Sequence, residues 1–125
     1  RKIICIDGDG ALIMHMGSLS TISKLKPKNF YHILINNQVH ESVGGQRTSA
    51  KFVDFSGLVK ANGFRNSYFS DNKEKLNLQI SDLINCSGPN FLEVLVKPGS
   101  RDNLGRPTFS PLENKSSLME LLQEK

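Results

Sequence analysis

The sequence has no tryptophan, only two cysteines and no long apolar run, and each shortage removes a class of protein. Cys5 and Cys86 are too few for the disulfide framework of a small secreted domain. Their apolar settings read as reduced, buried thiols in a cytoplasmic protein. No stretch approaches the ~20 residues that span a bilayer, and the amino end lacks a signal-peptide pattern, so no membrane partner is expected. The net charge of +4 comes from scattered basic residues with no aromatic-interleaved stripe. That pattern argues against nucleic acid and suits an anionic small molecule instead. An initiating Met is also missing: Arg1-Lys2 leads straight into Ile3-Ile4-Cys5-Ile6, which reads as a core strand. The expectation is therefore part of a longer polypeptide, truncated at the N-terminal edge of its fold.

What is present is an alternation of strand and helix patterns. Ile3 to Ile6 is a continuous apolar run, the mark of a strand buried on both faces. Leu12, Met16, Leu19 and Ile22 then recur at helical steps, and Phe30 to Ile35 closes a right-handed βαβ unit. Residues 36–49 are polar, with Gly44-Gly45, and read as a long functional loop. Phe52, Phe55, Leu58 and Val59 mark a helix, Asn66 to Ser70 a short strand, and Asp71 or Asn72 the cap of a helix through Leu76, Ile80, Leu83 and Ile84. Asn90 to Val96 is a further strand. The order predicts an α/β protein with three layers, α/β/α, and a mostly parallel sheet. Residues 1–97 form the α/β unit on this reading. Residues 98–125 form an irregular Arg/Pro/Gly tail and a closing helix, around Leu118 to Leu122, packed on the same unit.

Two strand ends carry the chemistry. Gly8-Asp9-Gly10 ends the first apolar run and Asn36-Asn37 ends the next, so both fall at carboxyl ends of neighbouring parallel strands, where open α/β sheets bind ligands. A carboxylate and a carboxamide oxygen suit Mg2+, and glycine flanks let backbone N–H groups approach a phosphate. Singly, each motif also fits a plain turn or strand cap. Asp7-Gly8-Asp9-Gly10 is also similar to the opening motif of haloacid dehalogenase phosphatases, in which the first aspartate is the nucleophile and the second the acid/base. That family needs Thr or Ser after the second strand and a late acidic pair. This sequence has Asn36-Asn37 and no such pair.

The combination of Gly8-Asp9-Gly10 with Asn36-Asn37 resembles the cofactor motif of thiamine diphosphate-dependent enzymes, over most of the chain. The resemblance implies their diphosphate-binding domain, with thiamine diphosphate and Mg2+ as cofactors. By it, Asp9, Asn37 and the backbone carbonyl of Val39 hold the metal. Gly8, Gly10, Ala11 and Leu12 line the diphosphate, with Gln46 as a polar contact from a covering loop that includes Ser42, Gly44 and Gly45. Residues 7–19, 36–46 and 99–108 are similar to the phosphonopyruvate decarboxylases within that family, apart from Gln38-Val39 where Gly-Ala is expected. The implied reaction converts 3-phosphonopyruvate to phosphonoacetaldehyde and CO2. Sulfopyruvate and other 2-oxo acids are the alternative substrates within the family. Arg101 and Arg106, with Lys115 behind them, are candidates for the substrate's dense negative charge, because Arg forks match phosphonate oxygens. His40 and Glu41, just past the metal ligands, are candidate catalytic groups. His15 and His32 read as structural. The resemblance also implies a pyrimidine-binding domain, absent from this sequence, that brings the activating glutamate, and an active site shared across a homo-oligomer interface. The isolated chain is expected to be inactive.

Overall fold

The computed structural model describes residues 1–123. Strand β1 (Ile3–Gly8) leads through α1 (Asp9–Met14) and α2 (Ser18–Leu25) to β2 (Phe30–Asn36). A two-stranded ribbon follows, β3 (Val39–His40) against β4 (Gln46–Arg47), then α3 (Phe55–Ala61), β5 (Asn66–Ser70), α4 (Lys73–Asn85), β6 (Asn90–Leu95) and α5 (Pro111–Gln123). The four long strands form one sheet in the order β1-β2-β6-β5, all pairs parallel. Each crossover carries a helix, as parallel pairing requires.

Strand pleating sorts the core into two layers. On one face Leu34 and Phe91 meet Leu12 of α1, Leu19 of α2, and Phe55 and Val59 of α3. On the other, Tyr31, Leu92 and Val94 meet Leu83 of α4. The result is the expected three-layer α/β/α arrangement. Complete burial of Leu34, Phe55 or Phe91 contributes roughly 1.5–3 kcal/mol each. Side chains fix the helix ends. Asn72 Oδ1 accepts the Lys75 N–H at 2.9 Å, and Asp54 Oδ1 accepts the Gly57 N–H at 2.9 Å. Asn90, fully buried at the start of β6, donates to the carbonyls of Leu83 (3.0 Å) and Cys86 (3.2 Å), stitching the end of α4 to the sheet.

Several expectations need correction. The β1 run is apolar on both sides, yet strand order puts it at the edge of the described sheet, leaving Ile4 and Ile6 exposed. The first helical stripe is split at residues 15–17, where Gly17 interrupts helix propagation. Leu12 and Leu19 nevertheless reach the core, with Met16 and Ile22 packed beside them. Phe52 falls in a short 3-10 turn before α3 and is exposed rather than in the core. Cys5 is half-buried and Cys86 exposed, because Cys86 sits just past the last turn of α4. The closing helix forms as α5, but all its described residues are exposed, Leu112, Leu118, Met119, Leu121 and Leu122 included. The Arg1 guanidinium donates to the Leu121 carbonyl, joining the amino end of the chain to this helix. Among the described residues no helix is long and apolar enough to cross a membrane.

Candidate cofactor site at the carboxyl end of the sheet

Asp9 is the first residue of α1 and 1% exposed. Its Oδ2 accepts a hydrogen bond from the Thr48 hydroxyl. Among the described residues it makes no ion pair, so this buried carboxylate faces a neutral donor alone. A buried carboxylate without a cationic partner is costly, and a bound divalent ion removes that cost.

The two asparagines after β2 part company. Asn36 is buried, donating Nδ2 to Glu93 Oε1 at 2.7 Å and accepting the Gln38 N–H at 3.2 Å, which makes it a structural pin between β2 and β6. Asn37 turns to the site. Its Oδ1 accepts the Val39 N–H (3.1 Å) and its Nδ2 donates to Glu41 Oε2 (3.0 Å). Between Asn37 and Val39, Gln38 takes a left-handed conformation, φ 61°. That is a strained state for a residue with a side chain, and it stands where Gly was expected.

The polar loop predicted for residues 36–49 folds back as the β3–β4 ribbon, reversing through Gly44 and Gly45, both at positive φ. The ribbon swings His40 over the start of α1. A Cβ at Gly10 would lie 2.5 Å from His40 Nδ1 and 3.4 Å from Thr48 Cγ2. Glycine at position 10 is therefore what lets the ribbon close on the β1–α1 corner.

These elements line an open cavity of about 320 Å3. Gly8, Asp9, Gly10 and Ala11 line one side, and Asn37, Val39, His40, Glu41 and Ser42 the other. A larger cavity of about 610 Å3 adjoins it, sharing Asn37 and Val39 and adding Gly45, Arg47, Asp71 and Lys97. The smaller cavity thus brings together the expected metal-holding residues Asp9, Asn37 and Val39. Carboxylate, carboxamide and backbone oxygen together form a hard donor set that fits Mg2+. The N–H groups of Gly10 and Ala11, in the first turn of α1, lack partners one helical turn earlier and fit a diphosphate.

Other expected residues lie elsewhere. Leu12 points into the core at 1% exposure and lines neither cavity. Gln46 sits on β4 opposite His40, is exposed, and lines neither cavity. Arg101 and Arg106 belong to an irregular exposed stretch and Lys115 to the exposed α5; none lines either cavity. The basic side chains beside the cavities are instead Arg47 and Lys97. Thr48 was missed as well. The signal for it is indirect, since a buried Asp9 demands a donor and the returning ribbon supplies one.

Asp7 does not join Asp9. Strand alternation sends its carboxylate along the sheet face to His32 Nε2, at 3.2 Å. His32 is buried between Phe30 and Phe91 rings, and that burial lowers its pKa below 6.5 against the opposing pull of Asp7. The Cys5 thiol beside them is pushed up, first by burial and then by Asp7. A phosphatase needs both aspartates in one cavity, and Asp7 lines neither.

Residues 1–94 match the family described as thiamine pyrophosphate enzyme, C-terminal TPP binding domain. The chain belongs to this family. It is 35% identical over 113 residues to a phosphonopyruvate decarboxylase from Streptomyces viridochromogenes, covering 90% of this chain and 28% of that protein. It is 31% identical over 102 residues to the sulfopyruvate decarboxylase subunit beta of Methanothermobacter thermautotrophicus, covering 82% and 52%. The corresponding subunit of Methanococcus maripaludis is 32% identical over 124 residues, covering 99% and 66%. The chain therefore spans less than a third of the phosphonopyruvate decarboxylase and half to two thirds of these beta subunits. A solved structure from Mycobacterium smegmatis, reported as a candidate thiamin diphosphate-dependent enzyme, shares the fold with a TM-score of 0.63 at 19% identity. That alignment covers 79% of this chain and 18% of the other.

Proposed function

We propose that this chain is the diphosphate-binding part of a thiamine diphosphate-dependent 2-oxo acid decarboxylase that converts 3-phosphonopyruvate to phosphonoacetaldehyde and CO2. The observation that carries the reading is the cavity in which buried, cation-poor Asp9 meets Asn37 and Val39. In it Asp9, Asn37 and the Val39 carbonyl hold Mg2+, and the Gly10 and Ala11 amides hold the diphosphate. Thiamine diphosphate, when bound, supplies the electron sink that 2-oxo acid decarboxylation needs. The protein's part is to anchor that cofactor, exclude water with the β3–β4 ribbon, and present His40 at the cavity wall as a proton carrier or substrate contact. The substrate's anionic head is assigned to basic groups at the rim, Arg47 and Lys97 beside the larger cavity, with Arg101 and Arg106 further along the same segment. A pyrimidine-binding domain, from the remainder of the polypeptide or another subunit, brings the activating glutamate in a cytoplasmic homo-oligomer.

Sulfopyruvate is the second reading, favoured by the likeness to the beta subunits. CO2 release by the complete enzyme from 3-phosphonopyruvate and 3-sulfopyruvate, with and without thiamine diphosphate and Mg2+, separates the two. A kcat/KM at least tenfold higher for the phosphonate supports the proposal. The reverse preference reassigns the substrate, and cofactor-independent turnover overturns the class.

A further inference from the structure

Glu41 lies at the cavity wall, but its carboxylate does not stand free. Oε2 accepts from Asn37 Nδ2 at 3.0 Å, and Oε1 accepts the backbone N–H of Gly99. The first contact is four residues away in sequence, the second fifty-eight. We propose that Glu41 is a positioning residue: it sets which way the Asn37 carboxamide faces, and it ties the segment after β6 to the ligand loop. The inference rests on the metal-holding role given above to Asn37.

A carboxamide can be turned by half a revolution, exchanging a metal-binding oxygen for an NH2 that repels a cation. Two contacts specify the orientation of Asn37. The Val39 N–H demands an acceptor at Oδ1, and the Glu41 carboxylate, which accepts only, demands a donor at Nδ2. Both fix Oδ1 toward the Val39 backbone and Nδ2 toward Glu41, and Asn37, Val39 and Glu41 all line the cavity. The second contact of Glu41 has a different consequence. Gly99 has φ 120° and follows Lys97 and Pro98, which line the larger cavity. One carboxylate thus couples the orientation of a metal ligand to the placement of the segment that carries Lys97 and, beyond it, Arg101.

Glu41→Gln is close to isosteric but has a single acceptor oxygen. One of its two contacts must fail, or the Asn37 carboxamide must turn. Mn2+ is the probe, titrated by electron paramagnetic resonance into the complete enzyme with saturating thiamine diphosphate. Removing an outer hydrogen-bond partner of a ligand typically weakens metal affinity about 10–100-fold, and a loss in that range is expected for Glu41→Gln. Asn37→Asp reverses the logic, because a carboxylate in place of the Asn37 amide has no donor to offer Glu41, whereas the Glu41→Gln side chain brings a donor of its own. In the Asn37→Asp background, Glu41→Gln should therefore strengthen Mn2+ binding. A parallel amide-exchange measurement should show faster exchange at Gly99 in Glu41→Gln. If wild type binds Mn2+ and Glu41→Gln binds equally well while kcat collapses and one limb of the pH profile disappears, Glu41 is a proton carrier and the inference is wrong. A loss of the same size and sign in both backgrounds also overturns it. Failure of wild type itself to bind Mn2+ with the cofactor overturns the reading beneath it instead.

Discussion

Gly10→Ala is the sharpest probe of how the ribbon closes on the β1–α1 corner. Gly10 is the second residue of α1 and lies in the helical region, so alanine there should by itself stabilise the helix by roughly 0.5–1 kcal/mol. The added methyl, however, would stand 2.5 Å from His40 Nδ1 and 3.4 Å from Thr48 Cγ2. Relieving that overlap means pushing the His40 ring out or shifting β3, at the ~1–3 kcal/mol typical of overpacking. The net effect in wild type is a loss between about zero and 2.5 kcal/mol. With His40→Ala already in place the overlap is gone, and Gly10→Ala should become stabilising. Urea denaturation of the four members of this double-mutant cycle measures the difference, with an expected coupling of about 1–3 kcal/mol. Equal stabilisation by Gly10→Ala in both backgrounds would refute the close approach of His40 to α1.

Three further expectations are independent of that corner's sterics. Thr48→Val strips the donor from the buried Asp9 carboxylate and should destabilise the metal-free protein by about 1.5–3 kcal/mol, whereas Thr48→Ser should be mild, both read by urea denaturation. Gln38→Gly relieves about 1–2 kcal/mol of left-handed strain but adds roughly 0.5–1 kcal/mol of unfolded-chain entropy, so thermal unfolding should show a small gain and no loss. His32 has a folded pKa below 6.5, so the unfolded chain takes up its proton first as pH falls. Its stabilisation is complete above pH 6.5 and is lost as pH falls from there through the lowered pKa. Stability measured across that window should fall less steeply in His32→Gln, and an unchanged slope would show that His32 does not titrate this way.

How much could be read from the residues depended on the range of the interactions involved. Strands β2 and β6 and helix α4 were legible because their apolar patterns report burial directly and Asn72 is a local cap. The same rule misjudged β1: an apolar run shows that both faces can be buried, but the position of a strand within a sheet is set by pairing with other segments. The β3–β4 ribbon has two residues per strand, too few for any periodicity to register. Asp9 and Asn37 were legible as a pair because each directly follows an apolar strand, β1 and β2, and spacing along the chain is enough to align them. Their supports were not. Thr48 reaches Asp9 from 39 positions away, and Gly99 reaches Glu41 from 58, both through loop paths that composition does not reveal. The tail arginines suit the substrate by chemistry alone, whereas the cations that line the larger cavity, Arg47 and Lys97, lie in β4 and just past β6.

The central claim is that Asp9 holds a divalent cation against a bound diphosphate, and one measurement addresses it directly. Thiamine diphosphate bound to the complete enzyme can be followed by phosphorus NMR while Mn2+ is added. The account predicts that both diphosphate resonances broaden in wild type, and that Asp9→Ala abolishes the broadening at the same Mn2+ concentration. Identical broadening in wild type and Asp9→Ala would contradict it.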